Sequence, residues 1–169
     1  MKKVLIYGYG NLGRQDDALG VLLADQMDTW EKTNSQISID FDSNYQLNIE
    51  DALTISEYDL VIFADASIED ISDFKITEVV PNQKTEFTMH AMSPEFVLHL
   101  CQSLYDKFPK TYLLHIKGYE FEFLGQPTAK ASENLKLARK FLSDLFSSSP
   151  ISIDLMDQLI EDKIKISLS

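Results

Sequence analysis

Three side chains in separate loops have the residue types of an open metal site. Asp17 follows the first predicted strand, Asp65 ends a continuously apolar run, and His90 lies shortly before a predicted helix. Two carboxylates and an imidazole suit Zn²⁺, Ni²⁺ or Mn²⁺, and three protein ligands leave coordination positions open for water or substrate. Because ligands bind at the carboxyl edge of parallel strands, we expect Asp17 and Asp65 to meet there if their strands are neighbours.

Each of these residues also has an interpretation without chemistry. Asp16 or Asp17 could cap the first helix through its carboxylate. Asp65 could end a strand in a turn, and His90 could be a solvated loop residue. The spacing alone does not decide between these roles and a metal site. Two roles remain open for Asp16. It could cap the helix, or it could assist the metal site by orienting a ligand or by acting as a base.

A glycine motif beside these acids suggests a competing function. Gly8, Gly10 and Gly13 follow the first strand with the spacing of a dinucleotide-binding turn. That turn requires the third glycine to lie on the incoming helix, whereas apolar helical periodicity begins here only after the acid pair. Two adjacent carboxylates would also stand where a pyrophosphate needs positive potential. The sequence disfavours a nucleotide site without excluding it.

Strands and helices alternate along the chain, which is typical of an α/β domain. Apolar runs and helical spacing predict strands near residues 3–7, 37–41, 60–64, 74–80 and 111–116, and helices near residues 18–30, 47–55, from 94 onward and 129–146. This alternation predicts a three-layer αβα sandwich of the phosphorylase/hydrolase type, with a largely parallel twisted sheet and right-handed crossovers.

A run of serines ending in Pro150 suggests a boundary near the end of this domain. We expect residues 1–146 to form the α/β domain and residues 147–169 to form a tail. Apolar residues recur in the tail at near-helical spacing, which predicts a helix packed on the domain.

Composition excludes several classes of protein. A net charge of −12, from 15 basic and 27 acidic residues, argues against a nucleic-acid partner. Cys101 is the single cysteine, so no intrachain disulfide can form, and its place on an apolar helix face predicts a buried thiol. No apolar run approaches the roughly 20 residues that span a bilayer. We therefore expect a cytoplasmic protein without a membrane partner.

Three motifs, in this order, resemble those of the nickel–iron hydrogenase maturation endopeptidases. Residues 7–20, YGYGNLGRQDDALG, resemble the family signature G-x-G-N-x-x-x-x-D-[DE]-x-x-G. Residues 61–66, VIFADA, are similar to its apolar strand ending in Asp-Ala, and residues 90–94, HAMSP, to its histidine motif. The resemblance covers about residues 1–146. The sequence departs from the family after the second strand, where Ser43 and Asn44 replace two glycines of many relatives. The resemblance therefore does not indicate which hydrogenase is processed.

The resemblance implies an activity. Such enzymes remove a short C-terminal extension from the large subunit of a [NiFe] hydrogenase after nickel insertion. Asp17, Asp65 and His90 match the metal-ligand positions, Asp17 in a place often held by glutamate, and the nickel is that of the precursor itself. This implies a monomeric peptide hydrolase whose partner is the large-subunit precursor. The alternative is a non-enzymatic nickel-site chaperone or nucleotide-binding module that uses the glycine motif.

Overall fold

A computed structural model describes residues 1–28, 36–83, 92–148 and 150–168. The strands are β1 (Lys2–Tyr9), β2 (Ile37–Asn44), β3 (Leu60–Ser67), β4 (Phe74–Glu78) and β5 (Lys110–Lys117). The helices are α1 (Leu19–Met27), α2 (Asp51–Ser56), α3 (Pro94–Tyr105), α4 (Ala129–Phe146) and α5 (Ile153–Leu168), and a 3₁₀ turn, Gln15–Ala18, precedes α1. The predicted continuation of the first helix to residue 30 lies outside the described residues.

The five strands form one sheet in the order β2-β1-β3-β5-β4. β1, β2, β3 and β5 are parallel, and only β4 runs antiparallel to its neighbour β5. The largely parallel sheet predicted from the sequence is therefore confirmed. β3 occupies the centre, and its residues from Leu60 to Ala64 are completely buried. A central parallel strand is covered on both faces, which explains why this run is apolar at every position.

Helices cover both faces of the sheet, which confirms the three-layer sandwich. On one face, α1, α4 and α5 pack against side chains such as Ile62. On the other face, α2 and α3 pack against the alternating positions of the same strands, such as Phe63. Because successive strand residues point to opposite faces, the inner strands β1, β3 and β5 each contribute to two separate cores.

Two helix starts follow the local chemistry of the sequence. The Ser93 hydroxyl accepts a hydrogen bond from the amide of Phe96 at 3.2 Å, and proline occupies the first position of α3. The Thr128 hydroxyl accepts in the same way from Ala131 at the start of α4. Each contact satisfies an amide that has no partner within its own helix. The predicted bounds of α4 are those observed.

The chain beyond α4 folds back onto the domain as α5. Met156 and Ile160 are completely buried in the core that α4 also lines. Tyr112 of β5 donates its hydroxyl to Asp157 and lies 3.3 Å from a carboxylate oxygen of Glu161. The helix α5 thus shares one core with α4. A domain boundary at residue 146 remains a prediction. Across the described ranges, no helix is both long and apolar enough to cross a membrane.

Candidate functional site

Close backbone contacts press the start of α1, directly after the 3₁₀ turn, against β1 and β3. A Cβ atom on Gly20 would lie 2.2 Å from the carbonyl oxygen of Ala64, and one on Gly8 would lie 2.0 Å from the carbonyl oxygen of Gly20. Only glycine permits such approach of two backbones. The loop that carries Asp17 is therefore held against the residue that precedes Asp65.

The glycines of the nucleotide-like motif have different roles in the structure. Gly10 has a φ of 144°, and a Cβ there would lie 2.1 Å from the carbonyl oxygen of Asp17. A Cβ on Gly13 would lie 3.2 Å from the Asn11 side chain, and Gly13 precedes the 3₁₀ turn rather than lying in a helix. The late helix start predicted from the sequence is confirmed. The third glycine thus does not make the helix–strand contact of a dinucleotide turn.

The strand order brings Asp17 and Asp65 to the same edge. β1 and β3 are hydrogen-bonded neighbours in which Gly8 is paired with Ala64. Asp65 is the next residue along β3, and Asp17 lies in the 3₁₀ turn after β1. The Asp17 carboxylate accepts a hydrogen bond from the amide of Asn11 at 3.0 Å. The expected juxtaposition of the two strand ends is therefore found.

Asp65 has too few hydrogen-bond donors to stabilise the negative charge of its carboxylate. Burial raises the pKa of Asp65 to about 7, and the negative charge of Asp17 raises it as well. The amide of Ala66 and the hydroxyl of Tyr9 donate hydrogen bonds that lower this pKa, but they do not offset the burial. Two carboxylates at close range disfavour each other's ionised form unless a cation lies between them.

Asp16 has a different environment. It is completely buried, and its carboxylate accepts four hydrogen bonds: from the amides of Tyr119 and Thr128 at 2.7 Å, from the amide of Glu120 at 3.1 Å, and from the Thr128 hydroxyl at 2.9 Å. Burial would raise the pKa of Asp16, but these donors outweigh it and hold the pKa below its ordinary value. Asp16 is thus an anchor for a distant loop.

The capping interpretation of the acid pair is wrong. Neither the 3₁₀ turn nor α1 receives a hydrogen bond from a capping side chain. The carboxylates of Asp16 and Asp17 instead bind amides outside the helix, on the 118–128 loop and at Asn11 respectively. Tertiary contacts therefore replaced the local role that these residues would have at an isolated helix start.

Neighbours of Asp16 extend the contact with the 118–128 loop. The Arg14 guanidinium donates to the carbonyl of Phe121 at 3.1 Å, and the carbonyl of Gly13 accepts from the amide of Leu124 at 2.9 Å. The Gln15 side chain accepts from the amide of Glu122 at 2.9 Å. We call this set of contacts, made by residues 13–16 with residues 118–128, the clamp. Sequence reasoning missed it because the partners of Asp16 lie 103 to 112 positions away.

His90, the third predicted ligand, lies outside the described residues. Within the described ranges, no group of three His, Cys, Asp or Glu side chains could hold a metal ion. Met92, which follows shortly after His90 in the chain, packs against the core formed by α2, α3 and the sheet. The charge of Glu95, in the first turn of α3, raises the pKa of the Tyr9 hydroxyl.

Other candidate groups have structural partners. The imidazole of His115 lies 2.8 Å from the Thr77 hydroxyl, so His115 interacts with a side chain on β4. Cys101 is completely buried, as predicted, and burial raises the pKa of its thiol to about 11. The thiol is therefore protonated near neutral pH and is a poor nucleophile.

Comparison with solved structures gives the fold a clear class, the α/β fold of the hydrogenase maturation proteases. No protein-family model and no curated protein matches the sequence. The [NiFe] hydrogenase maturation protease HycI from Thermococcus kodakarensis KOD1 is similar, with a TM-score of 0.68, 18% identity, and coverage of 87% of this chain and 93% of that chain.

Two further structures have the same architecture. The hydrogenase maturating endopeptidase HybD from E. coli has a TM-score of 0.64 and 19% identity, over 88% of this chain and 94% of its own. The endopeptidase HycI from Escherichia coli has a TM-score of 0.62 and 17% identity, over 91% and 99%. At these identities the similarity establishes the shared fold. The chemistry has to be argued from the site.

Proposed function

We propose that this protein is an endopeptidase that removes the C-terminal extension of a nickel-loaded [NiFe] hydrogenase large-subunit precursor. The observation that carries the proposal is the pair of Asp17 and Asp65, held at the carboxyl edge of a sheet that has the maturation-protease fold. Ligands of open α/β sheets bind at this edge.

The acid pair has the chemistry of a cation site. Burial and the charge of Asp17 both disfavour the ionised Asp65, and a divalent cation would remove this penalty. Carboxylate oxygens with one imidazole suit nickel, and we assign His90 as the third ligand. In this proposal the nickel is part of the substrate, and its coordination by the three side chains identifies a precursor that is ready for cleavage.

Positioning is the main contribution of the protein to the reaction. Asp17, Asp65 and His90 would hold the precursor through its nickel, so that the scissile peptide bond lies at the same sheet edge. The nickel can then polarise the scissile carbonyl or an attacking water. The absence of an activated thiol at Cys101 agrees with hydrolysis by water. Asp16 does not act as a base, since four donors occupy its two oxygens.

The proposal is tested by incubating the purified protein with nickel-loaded and nickel-free precursor and measuring the mass of any released peptide. We expect cleavage of the loaded precursor only. Asp17→Asn and His90→Ala should each abolish cleavage. The matched controls are Asp28→Asn, at an exposed position after α1, and His99→Ala, on α3, and both should retain full activity.

Two results would contradict this function. Full processing by the His90→Ala protein would exclude the metal role of that residue. Retention of the nickel-loaded precursor without any cleavage would instead support the alternative, a nickel-site chaperone. Calorimetric titration with NAD or ATP tests the nucleotide alternative, and a clear heat at micromolar concentration would favour it. We expect none, because Gly13 lies outside the helix.

A further inference from the structure

The clamp presents large apolar side chains that the fold leaves uncovered. On the loop after β5, Phe123 is 71% exposed and Leu124 is 98% exposed. Leu12, in the loop after β1, is 58% exposed. The amide of Leu124 donates to the carbonyl of Gly13, the residue after Leu12, at 2.9 Å, so the two loops meet at this point. We call Leu12, Phe123 and Leu124 the apolar patch.

Leu124 has a backbone conformation that glycine would adopt more easily. Its φ of 64° is left-handed, which crowds the Cβ atom of any residue except glycine. The next residue, Gly125, has no positive φ, and a Cβ there would lie 2.4 Å from the Gln15 side chain, so packing explains that glycine. Leucine at position 124 therefore strains the backbone while its exposed side chain contributes nothing to the core. A strained outlier of this kind points to a function outside the fold.

The patch is held in place before any partner arrives. The carboxylate of Asp16 anchors one end of the loop through the amides of Tyr119 and Glu120. The Arg14 side chain donates to the carbonyl of Phe121 at 3.1 Å, and its guanidinium lies 5.2 Å from the centre of the Phe123 ring. An apolar side chain on a fixed loop loses little conformational freedom when it is bound, which favours its use as an anchor.

The charges around the patch indicate the chemistry of its partner. Residues 118–128 include two exposed carboxylates, Glu120 and Glu122, and no lysine or arginine. The whole chain carries a net charge of −12. A complementary partner surface is therefore apolar at its centre and basic around it. Asp16 of the clamp directly precedes Asp17, so the patch adjoins the sheet edge at which the substrate is proposed to bind.

We propose that the apolar patch is a docking surface for the hydrogenase large-subunit precursor, which binds it through an apolar segment flanked by basic residues. This inference rests on the proposed function, because the occupant is the proposed substrate. Docking is independent of the metal ligands, since the contact is made away from the scissile bond and is the same before and during cleavage. Loss of the patch should therefore raise KM and leave kcat unchanged.

The experiment compares full-length wild type with Phe123→Ser, Leu124→Gly and Phe108→Ser. Phe108 is the matched control, because it is 66% exposed and lies before β5, at the opposite end of that strand. Steady-state cleavage of nickel-loaded precursor gives KM and kcat, and biolayer interferometry gives the Kd of nickel-free precursor. We expect Phe123→Ser and Leu124→Gly each to raise KM and Kd about 10-fold at unchanged kcat, and Phe108→Ser to match wild type.

Two further measurements test the chemistry of the contact. Leu124→Gly should unfold at the same temperature as wild type or higher, so that its weaker docking is not a loss of folding. The double variant Glu120→Gln/Glu122→Gln should slow association with the precursor, and the difference from wild type should disappear at high salt. Equal association rates for this variant and wild type at low salt would exclude a basic partner surface.

The outcomes separate docking from the proposed function. If wild type cleaves the precursor and both patch variants keep its KM and Kd, the docking surface is overturned and the function stands. If the patch variants lose affinity but wild type never cleaves, the function is overturned and the docking surface stands. Loss of kcat alone, or an equal loss in Phe108→Ser, also overturns docking. If sedimentation shows a wild-type dimer that Leu124→Gly abolishes, the occupant is a second copy of this chain and the precursor is excluded.

Discussion

Asp16 and Asp17 are adjacent in the chain, yet they belong to two regions with opposite electrostatics. In the clamp, Asp16 accepts four hydrogen bonds, and its pKa is lowered in spite of complete burial. In the acid pair, Asp65 faces the charge of Asp17 with fewer donors, and its pKa is raised to about 7. A satisfied buried acid locks a structure, whereas an unsatisfied one is typical of a site that receives a ligand.

The acid pair should be required for activity and should weaken the metal-free fold. We expect Asp65→Asn to abolish precursor cleavage, since an amide is a poor ligand for nickel. Because the folded pKa of Asp65 is raised, its contribution to stability is full at low pH and is lost as the pH rises through about 7. Asparagine does not ionise, so the variant should be more stable than wild type above pH 7, on the order of 1 kcal/mol.

Thermal unfolding in chelator at pH 6 and pH 8.5 measures this difference, which should be larger at the higher pH. If Asp65→Asn cleaves the nickel-loaded precursor at the wild-type rate, the acid pair is not required for activity and does not differ from the clamp in this respect.

The backbone contacts that bring the acid pair together should not tolerate a methyl group. Gly20→Ala places a Cβ 2.2 Å from the carbonyl oxygen of Ala64, where neither backbone can move independently. We expect a loss of at least about 3 kcal/mol in the free energy of unfolding. Gly13→Ala is the control, since its nearest contact is the Asn11 side chain at 3.2 Å, and it should cost less than about 1 kcal/mol.

Urea denaturation of both variants checks this prediction. Equal losses of unfolding free energy in the two variants would contradict the packing role of Gly20. A severe loss in Gly13→Ala alone would favour the nucleotide interpretation.

The clamp should depend on the charge of Asp16. Asp16→Asn replaces one acceptor oxygen by an amide that faces N–H donors, and we expect a loss of about 2 to 3 kcal/mol. Amide hydrogen exchange should accelerate at Tyr119, Glu120 and Thr128, the three amides that bind this carboxylate. Because the folded pKa of Asp16 is lowered, its stabilisation is present above the ordinary pKa of an aspartate and is lost as the pH falls through the lowered value.

The advantage of wild type over Asp16→Asn should therefore shrink in acid, because wild type loses stability there, whereas the disadvantage of wild type against Asp65→Asn should shrink in acid because wild type gains stability. Unchanged exchange at the three amides would show that the clamp does not rely on this carboxylate. Asp28→Asn, at an exposed site, should alter neither the exchange nor the stability.

The smallest effect is expected at the outer end of the clamp. Leu124 has a φ of 64° and is 98% exposed, while its amide donates to the carbonyl of Gly13. Glycine adopts this conformation without strain, so Leu124→Gly should be neutral or stabilise by up to about 1 kcal/mol. Leu124→Pro should destabilise, because proline has no N–H and cannot reach a positive φ. Thermal unfolding of both variants distinguishes a strained position from a relaxed one.

The sequence predicted the elements better than it predicted the partners of the acids. The bounds of α4 and the start of α3 at residue 94 were found as expected, since apolar periodicity is a local property. The sequence did not indicate the partner of His115, which interacts with Thr77 on β4. This contact depends on the antiparallel pairing of β4 with β5, a long-range choice that neither strand specifies alone.

Residue types and spacing were sufficient to specify the α/β alternation and the buried central strand, because each is a property of a short segment. The expectation that Asp65 ends its strand was wrong, since β3 continues to Ser67 through its pairing with β5. The tertiary structure determined the different environments of Asp16 and of the Asp17–Asp65 pair. The pairing of β1 with β3 and the close glycine contacts place Asp65 opposite Asp17. The loop after β5 supplies the donors that satisfy Asp16. Two adjacent carboxylates were chemically equivalent until distant amides reached one of them.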